Sequence, residues 1–182
     1  MSVPRPPLPV KPVVSLLTRH RELAPRALAR LAEFLGPPDL VSPWWPFQHT
    51  RYYLPEMGPD LERCLAAFLH LADPECLPDW KLVSHRLEED LSLGGRRLLN
   101  LDVGYLTGER LVLATGKNFR HRLSLGRGIY GEVTLVAEGG GLAPLPWTYP
   151  DYAGEPMLSW LNRVRQKYLW QVRQWRRMGS GA

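Results

Sequence analysis

A stretch of alternating residues around Gly126-Arg127-Gly128 constrains the fold of this chain more than any other feature. In residues 119–125 and again in residues 129–135, apolar, small or ring-bearing residues alternate with polar ones. Period-two alternation is typical of a half-buried β-strand, and glycine supplies the left-handed backbone that a short hairpin loop needs. The stretch 118–137 therefore predicts a β-hairpin.

Two registers of this hairpin have different chemical consequences. The register that best matches the apolar faces puts Leu123 opposite Gly131 and Arg122 opposite Glu132, with His121 on the apolar face. Glu132 is then a cross-strand partner of Arg122. A register shorter by one residue pairs Glu132 with His121 instead, which is closer to acid–base chemistry. We favour the first register, in which His121 is either a hydrogen-bonded core residue or a ligand and proton donor.

The rest of the chain predicts one mixed domain. A proline-rich lead at 1–9 precedes a single domain at 10–178, and 179–182 are predicted to be a flexible tail. The order β-α-β-β-α-α-β up to residue 105 resembles a ferredoxin-like plait. We expect an α+β fold in which this plait is extended by a short helix, the hairpin and a C-terminal helix. Periodicity and breaks at Gly or Pro predict strands at 10–18, 39–42, 48–54 and 97–105, and helices at 22–35, 60–71, 79–93, 108–115 and 155–177.

Charge is distributed unevenly along the chain. Residues 1–95 hold 10 Lys and Arg against 12 Asp and Glu, a net charge of −2, whereas residues 96–182 hold 13 against 6, a net charge of +7. The second half therefore accounts for the positive net charge of +5 of the whole chain. A basic half indicates an anionic partner. Two cysteines without a CxxC pair indicate reduced thiols and a cytoplasmic protein. The apolar run at 13–17 is too short to cross a membrane, so no membrane partner is expected.

The pair Gly116-Lys117 does not belong to a phosphate-binding P-loop. That loop needs G-x-x-x-x-G-K followed by Ser or Thr, whose hydroxyl holds magnesium. Here Leu111 stands at the first glycine position and Asn118 at the hydroxyl position, and the segment before the pair is predicted to be helical. Any anion is therefore expected to bind without a P-loop.

A metal site is not predicted either. His85, Glu88 and Glu89 are three and four residues apart and share one helix face. No second H-x-x-E motif or cysteine pair completes a ligand set. With Asp90 adjacent, a solvated acidic face is the favoured interpretation.

Three further segments carry aromatic residues beside charged ones. The segments 52–58 and 147–152 combine rings with carboxylates, a pattern that suits either a pocket for a ring-containing ligand or a cover over the sheet ends. The last helix has apolar residues at a spacing of three and four, with cations off that stripe beside Trp160 and Trp170. Such a helix docks on the body and could contact RNA phosphates.

Five motifs along the chain are distinctive as a set. They are Tyr52-Tyr53-x-x-Glu56-Met57-Gly58, Asn100-Leu101-Asp102-x-Gly104-Tyr105-Leu106-Thr107, Leu111-Val112-Leu113-Ala114-Thr115-x-Lys117-Asn118-Phe119-x-His121-Arg122, Gly128-Ile129-Tyr130-x-Glu132-Val133-Thr134-Leu135 and Leu145-Pro146-Trp147-Thr148-Tyr149-Pro150-Asp151-Tyr152. In these motifs the chain resembles an uncharacterised bacterial family, the domain of unknown function 4416 family, over about residues 8 to 170. Some similar proteins are named GTP-binding proteins, although this chain has no N-K-x-D guanine motif.

Two functional hypotheses follow from these observations. The first is a protein that binds an anionic small molecule, nucleotides included, and if it is an enzyme its acid–base set is His121 with Asp102 or Glu132; no reaction or cofactor follows. The alternative is an RNA-binding or ribonucleoprotein-associated module that uses the basic C-terminal half. Convergence of the aromatic segments on His121 in a cleft favours the small ligand, whereas a single open basic surface favours RNA. The predicted ligand-binding residues are Tyr53, Glu56, Asn100, Asp102, Tyr105, Lys117, Asn118, His121, Arg122, Trp147 and Asp151.

Overall fold

Strands make up one antiparallel sheet at the centre of the protein. The computed structural model describes residues 1–179. Of the tail predicted at 179–182, Gly179 ends the last helix, and residues 180–182 lie outside the described residues. The strands are β1 (Lys11–Thr18), β2 (Pro38–Val41), β3 (Trp45–Pro46), β4 (Glu62–Phe68), β5 (Leu99–Leu106), β6 (Arg110–Thr115), β7 (Leu123–Gly126), β8 (Ile129–Glu138) and β9 (Gly141–Pro144).

The sheet has the order β2-β4-β1-β5-β6-β8-β7, with β3 beside β4 and β9 beside β8. Every pair of neighbours is antiparallel. All eight residues of β1 are buried, because β4 and β5 flank it and helices cover both of its faces. The mixed helix and strand content is as expected, but the nine strands exceed those of the predicted plait and hairpin.

Helices cover both faces of this sheet. Within the described residues the helices are α1 (Ala24–Leu35), α2 (Leu54–Met57), α3 (Leu77–Asp90), α4 (Pro150–Ala153) and α5 (Met157–Gly179). Helices α1 and α3 pack on one face through residues such as Leu31 and Trp80, and α5 packs on the other through residues such as Leu161 and Tyr168. The apolar stripes of α1 and α5 run along one side of each helix, as the sequence predicts.

The helix predicted at 60–71 is wrong, because this segment forms β4. Residues 63–68 are all buried, since β4 lies between β1 and the edge strands β2 and β3. A strand that is covered on both faces carries a continuous apolar run, which periodicity does not distinguish from a buried helix. The Leu and Ala residues of the run favour a helix locally, and sheet packing overrides that preference.

The helix predicted at 108–115 is also wrong, because residues 110–115 form β6. The hydroxyl of Thr107 accepts hydrogen bonds from the backbone N–H groups of Glu109 and Arg110, as a helix cap would. The backbone N–H of Thr107 donates to the carbonyl of Arg110, which closes a turn between β5 and β6. A hydroxyl residue serves a turn and a cap by the same hydrogen bonds, so the sequence signal is shared.

The hairpin is confirmed, and its favoured register holds where Leu123 lies opposite Gly131. A bulge between Ser124 and Gly126 then shifts the register, so that Gly126 lies opposite Ile129, and residues 119–122 precede β7 instead of belonging to it. The strand predicted at 48–54 is wrong: the segment is a loop that leads into α2, and the edge strand β3 precedes it. β9 was not predicted, since its glycine-rich start suggested a loop.

Candidate functional site

The sheet opens between β5 and β6, and this opening organises the polar residues around it. The two strands pair only over Gly104–Leu106 and Leu111–Leu113. Beyond this region the backbone of Leu101 bonds to two side chains of α3 instead of a strand. Its N–H donates to Glu88 Oε1 at 2.6 Å, and its carbonyl accepts from Lys81 Nζ at 2.7 Å. The buried side chains of Glu88 and Lys81 therefore take the place of a neighbouring strand at this split between β5 and β6.

The α3 residues at this split form one stripe. Lys81, His85 and Glu88 are spaced by four and three residues, and Lys81 and Glu88 are only 5% and 7% exposed. Burial raises the pKa of Glu88 and lowers the pKa of His85. The His85 ring lies next to the backbone of Gly116, where an added Cβ would be 3.7 Å from His85 Cε1. The solvated acidic face predicted here is therefore wrong for Glu88, although Glu89 is exposed.

A chain of polar contacts leads from Asp102 to the segment around α2. Asp102 Oδ2 accepts from Asn100 Nδ2 at 3.1 Å, and Asn100 Oδ1 accepts from Arg97 at 2.8 Å. Arg97 in turn forms an ion pair of 2.7 Å with Glu56 and holds the pKa of that carboxyl below its usual range. The pKa of Tyr53 is raised, chiefly by burial and next by the charge of Asp102. Predicted site residues from two segments that are distant in sequence thus meet near the first residues of β5.

Arg63 of β4 lies buried beneath this chain of contacts. Its guanidinium is 3.5 Å from Asp102 and 2.9 Å from Asp151, and it lies between the rings of Phe47 and Tyr152 at 4.8 and 5.4 Å. Burial tends to lower the pKa of Arg63, but the charges around it outweigh burial and raise that pKa. The contact with Asp151 is an ion pair without hydrogen-bond alignment, which leaves Arg63 Nε and Asp151 Oδ2 buried and unbonded. Arg63 ties the segment that contains α4 to the sheet.

Glu132 on β8 binds both side chains that the sequence offered as alternative partners. Glu132 Oε2 is 2.9 Å from His121 Nε2 and 2.8 Å from Arg122 Nε, and Glu132 is 3% exposed. The ladder begins with Leu123 opposite Gly131, so Arg122 lies before β7 and meets Glu132 through its side chain alone. His121 reaches the same oxygen because β7 begins only at Leu123, so the preceding residues leave the strand. Of the two carboxylates considered for His121, Glu132 therefore bonds to it, while Asp102 bonds to Asn100 and Arg63.

The segment 147–152 covers this group. The Trp147 ring stacks on the His121 ring with centroids 5.2 Å apart and planes 9° apart. Tyr149 OH accepts a hydrogen bond of 3.2 Å from Arg122. Trp147 itself is fixed by a hydrogen bond of 2.9 Å from its indole N–H to the carbonyl of Val133.

The segment 52–58 covers the same region from the side of α2. Lys117 Nζ donates to Tyr52 OH at 2.6 Å and lies 4.4 Å from the centre of that ring. This hydrogen bond lowers the pKa of Tyr52. The buried side chain of Met57, together with Tyr53, packs in a small cluster with Leu17 and anchors α2. Both aromatic segments therefore converge on the stretch 117–122.

Nine of the eleven predicted ligand-binding residues belong to this connected group, and two do not. Successive side chains of a strand point to opposite faces, and Tyr105 is three residues from Asp102. Tyr105 therefore lies on the other face of β5, where it packs with the core beneath α1 and α3. Asn118 is exposed on the loop between β6 and β7. Four residues that belong to the site were not selected from the sequence, namely Arg63, Lys81, His85 and Glu88. The sequence feature that could have indicated them is a charged or titratable residue within a buried segment.

Two surface grooves lie outside the group. The larger, of about 570 Å³, is lined by Tyr105, Gly108, Arg110 and Tyr168 among others. The smaller, of about 240 Å³, borders the outer side of Glu56. Neither groove is lined by His85 or His121, so the polar group rather than the grooves defines the candidate site.

The residues that the structure describes contain no cluster of three or more His, Cys, Asp or Glu side chains with a metal-holding arrangement. In the same part of the chain, no helix has the length and apolar character needed to cross a membrane.

Comparison with known proteins identifies the family of the chain. The family model described as a domain of unknown function, DUF4416, matches residues 8–168. No curated protein and no solved structure matches the chain significantly. The match runs from β1 to the middle of α5 and contains every residue of the candidate site, so the chain belongs to the DUF4416 family.

Proposed function

We propose that the protein binds a small anionic molecule that carries a planar ring, with nucleotides as the class to test first. One observation carries the proposal: two aromatic segments distant in sequence converge on Lys117, His121 and Arg122. Rings and cations in one partly covered site suit a ligand with both a π-face and a negative charge. A surface for an extended polyanion would instead be open rather than partly covered.

The balance of charges indicates where the anionic group of the ligand binds. Arg97 pairs with Glu56, Arg122 with Glu132, and Arg63 lies between two aspartates. Lys117 differs from these three arginines because its partner is the neutral hydroxyl of Tyr52 and because it is exposed. An ammonium group without a carboxylate partner is available for a charge-assisted hydrogen bond. We therefore assign the anionic group of the ligand to Lys117.

Thermal-shift and titration measurements test this assignment with AMP, GTP, adenosine and inorganic phosphate. A ligand at a hundred times its Kd stabilises the protein by about 2.7 kcal/mol. We expect a nucleotide to stabilise the protein more than either adenosine or phosphate does. Lys117→Gln should weaken that binding about tenfold, because one charge-assisted hydrogen bond is lost.

Arg120→Gln is the matched control. Arg120 lies on the same loop and is exposed, and among the described residues its one side-chain contact is with the ring of its neighbour Phe119, at 5.8 Å. The control removes the same charge and should change the Kd less than twofold. Equal losses in both variants, or no stabilisation by any nucleotide, would contradict the proposal.

We also propose that the part of the chain from β1 to β5 is a ferredoxin-like plait. The order β2-β4-β1-β5, with antiparallel neighbours and with α1 and α3 on one face, supports this. In that case β6 to β9 extend the plait at one edge. A crystal structure in which β1 does not lie between β4 and β5 would exclude the plait.

A further inference from the structure

Helix α5 has an unusual charge pattern that the candidate site does not use. Its 23 residues contain six Lys and Arg and not a single Asp or Glu. A surface helix normally carries both signs, because pairs of opposite charge along it are stabilising. Side chains of like charge on one helix repel each other and destabilise it unless other groups neutralise them.

The apolar side of α5 is fully occupied by the body of the protein. Met157, Leu161, Val164, Tyr168 and Val172 are all buried against the sheet. The side that faces solvent is a second stripe, which we name the outer stripe. The outer stripe consists of the exposed residues Arg163, Gln166, Trp170, Arg173 and Arg177, spaced by three and four residues.

Only some of the cations of α5 have intramolecular partners. Arg165 donates to the carbonyls of Gly108 and Gly140, and Lys167 forms an ion pair of 2.9 Å with Asp39. These two residues lie at the border with the sheet and dock the helix.

The three arginines of the outer stripe are different. Within the described residues, Arg163, Arg173 and Arg177 make no ion pair and no hydrogen bond. They span 14 residues, or about 21 Å along the helix axis. Among them, Trp170 is 56% exposed, an unusual position for the largest apolar side chain.

We propose that the outer stripe binds single-stranded nucleic acid, with the three arginines on phosphates and a base stacked on Trp170. Cations that follow a backbone, together with an aromatic ring that offers a stacking face, are the two elements by which proteins hold single strands without sequence preference. An anionic membrane is the weaker candidate. A helix that lies on a membrane inserts its apolar side, and that side of α5 is covered by the sheet.

Fluorescence anisotropy with labelled 12-residue oligo(U) and oligo(dT), measured over a range of salt concentrations, tests the proposal. The variant Arg163→Gln/Arg173→Gln/Arg177→Gln should bind at least about tenfold more weakly. Because each single-strand phosphate contact contributes about 0.7 to the slope of log K against log salt, the slope should fall by about two. Trp170→Ala should also weaken binding about tenfold while leaving the slope unchanged, since a ring carries no charge.

The matched control is Arg26→Gln/Arg30→Gln/Arg86→Gln, which removes the same charge from exposed positions of α1 and α3 on the opposite face. This control should bind within about twofold of the unchanged protein. Equal losses in both triple variants would overturn the proposal, because binding would then depend on net charge alone. Binding to anionic vesicles but not to either oligonucleotide would overturn it as well. All seven side chains are exposed, so unchanged thermal unfolding of each variant separates lost binding from lost folding.

Discussion

Removal of Glu88 tests whether side chains of α3 hold the split between β5 and β6. In Glu88→Ala the backbone N–H of Leu101 loses its acceptor at 2.6 Å while it stays buried. A buried donor without a partner costs about 1–3 kcal/mol. Lys81 also loses its nearby negative charge while it remains 5% exposed. We therefore expect Glu88→Ala to lower the free energy of unfolding by about 3 kcal/mol.

Glu88→Gln separates the hydrogen bond from the charge. The amide oxygen of glutamine can still accept from Leu101, so this variant should be the more stable of the two. The pH dependence provides a second criterion. Burial raises the pKa of Glu88 in the folded state above its unfolded value, so between these two values the folded state binds more protons. Stability contributed by this group therefore falls as pH rises through that window, from mildly acidic pH upward, and Glu88→Gln should lack this fall.

Urea denaturation followed by circular dichroism at pH 4.5, 6 and 7.5 measures these differences. Amide hydrogen exchange of Leu101 reports on the contact directly. The amide should be protected in the unchanged protein and in Glu88→Gln, and should exchange much faster in Glu88→Ala. Equal stability of the two variants at every pH, or an unprotected Leu101 amide in the unchanged protein, would refute the role assigned to Glu88.

Two further predictions concern the frame around the site. In Gly104→Ala the new Cβ would lie 2.2 Å from the carbonyl oxygen of Val112, so we expect the free energy of unfolding, measured by urea denaturation, to fall by about 3 kcal/mol. In the control Gly154→Ala the nearest atom, the carbonyl oxygen of Pro150, is 3.7 Å away, so the free energy of unfolding should change by less than about 0.5 kcal/mol. A small effect of Gly104→Ala would mean that β5 and β6 do not approach closely there. Lys11→Met should cost about 1–3 kcal/mol, because the buried carbonyl of Phe68 loses its donor while Lys167 still pairs with Asp39 at 2.9 Å. A calorimetric Tm within 2 °C of the unchanged protein would exclude that contribution.

The sequence predicts those elements whose periodicity matches their surroundings. The hairpin of β7 and β8 is marked by period-two alternation on both sides of a glycine-rich turn. This pattern predicts the two strands and the pairing of Leu123 with Gly131, although all four residues of β7 are exposed. β4 is covered on both faces, and its run of Leu, Ala and Phe carries no period that distinguishes a strand from a helix. The turn at Thr107 uses the same hydroxyl contacts as a helix cap, so only the pairing of β6 with β8 decides between them.

Only part of the candidate site could be predicted from the sequence. His121, Arg122 and Glu132 lie close together in sequence, and a local register was enough to relate them. Arg63 and Glu88 act through residues far along the chain, and their contacts depend on which strands are neighbours. A signal for both exists in retrospect, since each is a charged residue within a run that is otherwise buried, and such charges need partners.

The strand order also determines how the sheet ends. The outer sides of β4 and β8 are covered by β2, β3, β7 and β9, and within the described residues none of these four strands exceeds four residues. Pro38, Pro46 and Pro144 remove a backbone N–H from three of them, and a bulge before Gly126 interrupts the fourth. Short strands with proline or a bulge are poor templates for an additional strand. The long, apolar inner strands, which would aggregate readily if their edges were exposed, are thereby shielded from pairing with other chains.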